Sequence, residues 1–327
     1  MKINFNNDTN QDDELFLNLK QKSLNQKFIY FDTGAEVYYA NEFYTPVSEE
    51  FIQFTRSQVI EKPTSETGST NSVKTAFVSL GCGNCFEESR ILAEAKENVT
   101  LFAVDSSVSM LKLSEKILAN FAFNKVLIEA DFTTDAFREN LDDLLKDYQK
   151  RVFYFSGFTF CNFDSGLISL LSKIMQSGDI LIFYVVTIVK LHMYTKLFID
   201  DSRNALKNRE KMNAYFEPLK KFKIPQNNGK IMMDSFREKD IGSLGFQYYF
   251  RFNRKTKISY NGEITEFQQG DKIALQNIRI YDYETFMKFF ELKKFKLLAL
   301  DVYESINVIY AFEKSEITDA KPAILTG

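Results

Sequence analysis

Short apolar runs alternate with helically spaced apolar positions through the middle of the chain. The runs are Ala76 to Leu80, Leu101 to Asp105, Val126 to Asp131, Arg151 to Gly157 and Asp179 to Val186. Between them, apolar residues recur every three or four positions: Ile91, Leu92 and Ala95, then MLKLSEKIL from Met110, LDDLLKDY from Leu141, and the stripe Leu167, Ile168, Leu170, Leu171, Ile174 and Met175. Strands of this length alternating with such helices predict βαβ units, hence an α/β fold with a mostly parallel sheet covered on both faces. From about 187 to 285 the pattern changes. Residues 187–223 read as charged helices, and 246–280 as antiparallel strands with Asn261-Gly262 as a tight-turn signal. ETFMKFFELKKF then predicts a helix. KLLALDVYE and INVIYAFEK predict two antiparallel strands joined by a short hairpin around Ser305.

This pattern predicts a Rossmann-like core over 61–190, completed by 286–327. A second α+β lobe is expected from 1–60 and the insertion 191–285. The polar stretch 61–75, rich in Ser and Thr, reads as a linker or surface loop. The longest apolar run, Ile180 to Val189, falls well short of the ~18–20 residues a membrane helix needs. With 41 basic and 44 acidic residues the net charge is −3, which argues against nucleic acid as a partner. The polar, acidic start of the chain is not leader-like, so a cytoplasmic protein without a membrane segment is expected. Three Cys make no disulfide framework, and one His, His192, excludes chemistry that needs two.

The candidate chemistry begins at VSLGCGNC, which runs strand to loop to helix. Gly81 and Gly83 allow a sharp turn and close approach of the backbone to a ligand. Asp105, followed by Ser106, ends the next strand and can accept both hydroxyls of a ribose. Asp131-Phe132 ends the third strand at the sheet edge where an adenine lies, and Gly157 ends the fourth. A dinucleotide and S-adenosylmethionine both suit such a crevice. Cys82 and Cys85 form a C-x-x-C, with Cys161 expected nearby. Three thiols could hold zinc or act as a redox pair, but a fourth ligand is missing, so no metal is expected and the cysteines read as small residues lining a loop.

Several segments taken together resemble the histidine Nα-methyltransferase family, in order, from Lys27 to Phe312. They are KFIYFDTGAEVYY with NEFYTPVSEE, the glycine loop LGCGNCFEESRIL, EADFT, YFSGFTFCNFD, and GDKIALQNIRIYDYETFMKFFELKKFKLL. The resemblance implies a class I S-adenosylmethionine-dependent methyltransferase, whose sheet ends in an antiparallel pair as this chain's pattern does. It implies that Gly81, Asp105, Asp131 and Phe132 contact the cofactor. It implies that Asn162 holds the amino-acid end of the substrate, that Tyr44 faces the substrate, and that Tyr30 or Phe31 closes over it. The chain also departs from the pattern. The family's lysine in the glycine-loop helix falls on Glu88, its carboxylate-gripping tyrosine on Ile199, and the Glu and Ser that grip imidazole on Gln276 and Ile278. The substrate is therefore expected to be a small-molecule amine, an amino acid or derivative, other than histidine.

Methyl transfer from a sulfonium is an in-line displacement that needs a neutral nucleophile close to the methyl group and water kept out. It requires neither a nucleophilic side chain nor a metal. Asn162 and Tyr44 are the candidate catalytic residues, with Tyr30 and Gln276 completing the substrate side. Plain packing is the competing reading for the tyrosines in a chain with 33 Phe and 16 Tyr, and a helix cap is the competing reading for Asn162. Two other functions stay open: transfer of an aminopropyl or aminocarboxypropyl group from the same cofactor, and a degenerate cofactor-binding protein. Oligomeric state is not legible.

Overall fold

The structure is a computed structural model that describes residues 1–5, 10–30, 48–60, 73–157, 159–303 and 306–316. Its elements run, in chain order, β1 (Lys2–Asn4), α1 (Gln11–Lys20), α2 (Glu49–Val59), β2 (Thr75–Leu80), α3 (Phe86–Ile91), β3 (Val99–Asp105), α4 (Val108–Leu118), β4 (Asn124–Glu129), α5 (Asp135–Leu145), β5 (Lys150–Phe155), α6 (Ser165–Ile174) and β6 (Ile180–Ile188). They continue as α7 (Leu191–Ala205), α8 (Arg209–Lys220), β7 (Gly229–Glu238), β8 (Ser243–Phe252), β9 (Thr256–Tyr260), β10 (Glu263–Phe267), β11 (Lys272–Asp282), α9 (Tyr283–Leu292), β12 (Phe295–Tyr303) and β13 (Asn307–Lys314).

The five apolar runs form the centre of a sheet ordered β1-β4-β3-β2-β5-β6, parallel throughout. β13 then pairs antiparallel with β6, and β12 with β13. This is the α/β architecture with an antiparallel finish that the pattern predicts. Each strand is apolar on both sides because helices cover both faces. Ala76, Val78 and Leu80 point into a core with α5, α6 and α9, while Phe77 points into a second core with α2, α3 and α4.

The remaining elements build a third core around α1, α7, α8 and strands β8 and β11. β8 pairs antiparallel with β7 and β11, and the end of β11 joins β6 in parallel at Tyr281–Thr187 and Asp282–Ile188. The lobe's strands thus continue the core sheet. In the β9–β10 hairpin, Asn261 and Gly262 have φ of +48° and +82°, the left-handed pair a two-residue hairpin turn needs.

Two segments depart from the expected division. β1 extends the core sheet beside β4, and Phe51, Ile52 and Val59 of α2 pack in the core with Phe77 and Tyr154. Neither belongs to the second lobe as expected of 1–60. A three-residue strand carries no readable periodicity. The apolar face of α2, capped by Ser48 on the Phe51 amide, fits either core equally well by pattern. β7 was not expected either, because its residues are half-buried or exposed and show no clean alternation.

Candidate active site

The parallel strands end, at their carboxyl edge, against the second lobe. Between them lies a cavity of about 520 Å³. Ten residues singled out from the sequence line it: Gly81, Gly83, Asp105, Ser106, Asp131, Phe132, Gly157, Asn162, Tyr30 and Gln276. They come from seven separated parts of the chain and meet only because the strand ends share one edge. Tyr44 and Phe31 lie outside the described residues.

The glycine loop turns as its residues require. Gly81 and Gly83 have φ of +68° and +55°, and Cys85 enters α3 at φ +58°. A Cβ on Gly81 would stand 2.6 Å from Thr159 Cγ2, so the turn after β5 presses directly on the loop. A Cβ on Gly157 would meet nothing within 4 Å, so open space faces the chain there. Asp105 locks the loop from the next strand. Its Oδ2 accepts from Gly83 N at 2.9 Å and its Oδ1 from Ser107 N at 2.8 Å. Burial pushes its carboxyl up to about 6, against the pull of those amide bonds.

Two buried glutamates stand behind the loop. Glu87 accepts from Tyr154 Oη at 2.7 Å, Ser156 Oγ at 2.9 Å and Gly157 N at 3.1 Å, and so ties α3 to the end of β5. Glu88, fully buried, accepts from Ser79 Oγ at 2.5 Å, while its Oε2 has no hydrogen-bond partner among the described residues. Burial and then the neighbouring Glu87 charge push its carboxyl up to about 8, so it is protonated at neutral pH. The sign of the linkage follows. Between an unfolded value of 4.5 and about 8 the folded chain holds a proton the unfolded chain releases, so stability falls as pH rises across that window. Glu88→Gln is expected to remove this decline. At pH 8 the gain, set against the cost of a buried unpaired amide, nets roughly 2 kcal/mol, and below pH 4.5 the variant is the less stable protein. Urea unfolding at three pH values checks this. Parallel pH profiles for the two proteins would contradict it.

Just beyond β4, Asp131 Oδ1 accepts from Thr133 N at 3.0 Å, and its Oδ2 from Asn25 Nδ2 at 3.3 Å. Phe132 packs at 5.2 Å from Phe163 and 5.7 Å from Phe155 (ring centroids), leaving 8% of its surface accessible at the cavity wall. Asn162 ends a 3-10 turn at Thr159–Asn162. The helix-cap role belongs instead to Asp164, which accepts from Gly166 N at 2.9 Å, so Asn162's amide is not used to cap α6. The Asn162 carbonyl accepts from Arg279 Nη1 at 3.1 Å, and Arg279 is held by a two-pronged pair with Glu238 at 2.8 and 2.9 Å. Gln276 Oε1 is buried with no partner among the described residues.

Sequence reasoning missed Arg279 and Lys211, which both line the cavity. A lone basic residue in a strand or a helix carries no spacing signal. Glu87 was hidden beside Glu88 in the same motif. The cysteines separate: Cys82 and Cys85 lie in one core and Cys161 in the other, and burial raises all three thiols, Cys161 to about 12. His192 is exposed on α7. Among the described residues, no helix is long and apolar enough to cross a membrane, and no His, Cys, Asp and Glu group is arranged to hold a metal ion.

A parallel sheet with an antiparallel last strand, a glycine turn at the end of its first core strand and a carboxylate at the end of the neighbouring one together define the class I S-adenosylmethionine-dependent methyltransferase fold. The family model described as "Histidine-specific methyltransferase, SAM-dependent" matches residues 12–183, more than half of the chain, and the chain belongs to that family. It is a methyltransferase whose cofactor is S-adenosylmethionine. The open strand-edge crevice, the glycines facing it and the Asp105 carboxylate fit that cofactor. Among solved structures, the chain is similar to the PH0226 protein from Pyrococcus horikoshii OT3, at 12% identity over 86% of this chain and 99% of that one, with a TM-score of 0.43. It is also similar to the CcbJ methyltransferase from Streptomyces caelestis, at 10% identity over 81% and 94% with a TM-score of 0.40. DesVI of Streptomyces venezuelae aligns at 11% identity over 94% and 100% with a TM-score of 0.37. No curated protein matches the sequence.

Proposed function

We propose that the chain methylates the amine nitrogen of a small molecule, an amino acid or a derivative of one, and that histidine is not its substrate. The observation that carries this reading is the composition of one cavity. Gly81, Gly83, Asp105, Asp131, Phe132, Gly157 and Asn162 line it from the core, and Gln276 and Ile278 from the second lobe. Gln276 and Ile278 stand where the family resemblance implies imidazole-gripping Glu and Ser. A neutral amide and a hydrocarbon cannot make those charged and hydroxyl contacts, and each lost hydrogen bond costs ~1–3 kcal/mol.

When bound, S-adenosylmethionine supplies a methyl group on a positively charged sulfur. The chain's own residues supply position and dryness. Asp105 would accept from ribose hydroxyls, and the Gly81 and Gly83 turn would let the backbone close on the ligand. Phe132, Phe163 and Ile278 wall the cavity with hydrocarbon, which excludes water from the reacting centre. The amide of Asn162 would turn the substrate nitrogen's lone pair toward the methyl group, because Arg279 fixes the backbone that carries it. Tyr44 is proposed as a further substrate-facing residue on resemblance alone.

Asn162→Ala is expected to lower kcat/KM roughly tenfold or more while leaving cofactor affinity nearly intact. The Arg279 bond goes to its main-chain carbonyl and survives the change. A normal rate would remove Asn162 from the site. The direct test of the whole reading is incubation with S-adenosylmethionine and a panel of amino acids and amines, read by mass spectrometry. A product heavier by one or more methyl groups supports it. A cofactor-bound protein that methylates no member of the panel, or that methylates histidine best, overturns it.

A further inference from the structure

Among the described residues, five charged side chains line the cavity: Lys27, Asp105, Asp131, Lys211 and Arg279. Four of them are satisfied within the chain. Lys27 Nζ is 2.6 Å from Glu14 and Arg279 is clasped by Glu238. Asp105 and Asp131 accept from neighbouring amides. Lys211 differs: among the described residues, its ammonium has no ion pair and no hydrogen bond, and its perturbation is burial alone, which holds it below the ordinary lysine range. A partly desolvated cation without a counter-charge is costly, and aromatic faces offset only part of that cost.

The corner that holds it is built. Lys211 lies in the first turn of α8, with its backbone N–H capped by Asn208 Oδ1 at 2.9 Å. Its Nζ stands 5.9 Å from the ring centroids of both Tyr215 and Tyr248. Tyr215 is one helical turn further on. Tyr248, on β8, is the register partner of Gln276 on β11, so their side chains share a face. The unpaired Gln276 Oε1 therefore lies beside the same ring that borders the unpaired ammonium. One corner of the cavity thus offers a cation and an acceptor, each without a partner among the described residues.

We propose that Lys211 binds a carboxylate of the substrate, with Gln276 accepting from an N–H or O–H next to that carboxylate. This deepens the reading above and rests on it, because it takes the cavity to be the site of methyl transfer. It makes the substrate an amine that bears an acid group, and Lys211 the residue that selects for it. The amino-acid end of S-adenosylmethionine also carries a carboxylate. Lys211 lines the cavity from the second lobe, as do Phe198, Ser202, Tyr215 and Gln276, whereas the glycine loop lines it from the core, and this favours the substrate's carboxylate.

The test uses full-length protein saturated with S-adenosylhomocysteine. Its affinities for tyrosine, tryptophan and phenylalanine are compared by calorimetry with those for tyramine, tryptamine and phenethylamine, which lack the carboxylate. The same comparison is made for Lys211→Met, which keeps the hydrocarbon stem against the two rings, and for Lys211→Arg, which restores a charge. The native protein should favour the best-bound acid over its amine by roughly tenfold or more. Lys211→Met should lose that preference with its melting temperature and S-adenosylhomocysteine affinity unchanged, and Lys211→Arg should recover part of it. No carboxylate preference anywhere in the panel, or a preference that survives in Lys211→Met, overturns the proposal. Weakened S-adenosylhomocysteine binding in Lys211→Met also overturns it, by assigning the ammonium to the cofactor. Methyl transfer is read separately by mass. A carboxylate preference without transfer defeats the transfer reading and leaves Lys211 standing, whereas transfer without the preference defeats only Lys211.

Discussion

Asp105→Ala is expected to weaken S-adenosylmethionine binding by about a hundredfold or more. A carboxylate that accepts two ribose hydroxyls makes two charge-assisted hydrogen bonds, each worth ~1.5–3 kcal/mol, and the sum exceeds the ~2.7 kcal/mol of a hundredfold change. The substitution also strips the Gly83 and Ser107 amides of the acceptors they now hold at 2.9 and 2.8 Å, so the glycine loop loses its anchor to β3. The pH arm sharpens the test. Burial raises Asp105 to about 6, and the hydroxyls need the ionised form, so native affinity should fall as pH drops below about 6. That slope should vanish in Asp105→Ala. Calorimetry at pH 5.5 and 8 reads both effects, and an affinity within threefold of native would remove Asp105 from the ribose site.

The strands of the core were legible because burial on both faces leaves unbroken apolar runs. The crevice was legible because a parallel sheet puts every strand's carboxyl end on one edge, so glycines and acids at strand ends are gathered without further information. What stayed hidden has physical reasons as well. β1 is too short for a period. Arg279 and Lys211 reach the cavity from elements whose own patterns describe only their packing in the second lobe. The buried state of Glu88 has no sequence signature at all. A glutamate in a helix's first turn looks like an ordinary dipole partner, and only the fold reveals that it is fully enclosed, with Ser79 donating to it.

The Glu88 position also bears on how the loop can work. The family resemblance implies a lysine there that meets the cofactor's amino-acid end. In this chain the side chain turns inward, is protonated at neutral pH and supports β2 through Ser79. It is not among the residues that line the cavity. Any contact to that end of the cofactor must then come from elsewhere.

Asp179→Ala should cost the fold about 3–5 kcal/mol, the range for breaking a buried pair by deleting one partner. Arg151 and Asp179 are 5% and 4% exposed. Arg151 Nε donates to Asp179 Oδ1 at 2.8 Å, Nη2 bonds Oδ2, and Asp179 Oδ2 also accepts from Gln176 N at 2.7 Å. The aspartate therefore joins the start of β5 to the turn that opens β6, and its carbonyl accepts from Lys314 N at the end of β13. Removing it leaves a guanidinium enclosed with Asp142 as its remaining acid, 3.9 Å away and mostly exposed, which compensates weakly. At roughly 2–4 °C per kcal/mol for a protein of this size, Tm should fall by about 6–20 °C. The pair sits at the amino ends of the strands and the cavity at their carboxyl ends, so cofactor affinity measured well below Tm should not change. The double variant Arg151→Met with Asp179→Leu should recover most of the loss, because the cost lies in the stranded charge and a packed apolar pair can replace the two ions. If the double variant is no more stable than Asp179→Ala, the penalty belongs instead to the Gln176 amide and the turn it closes.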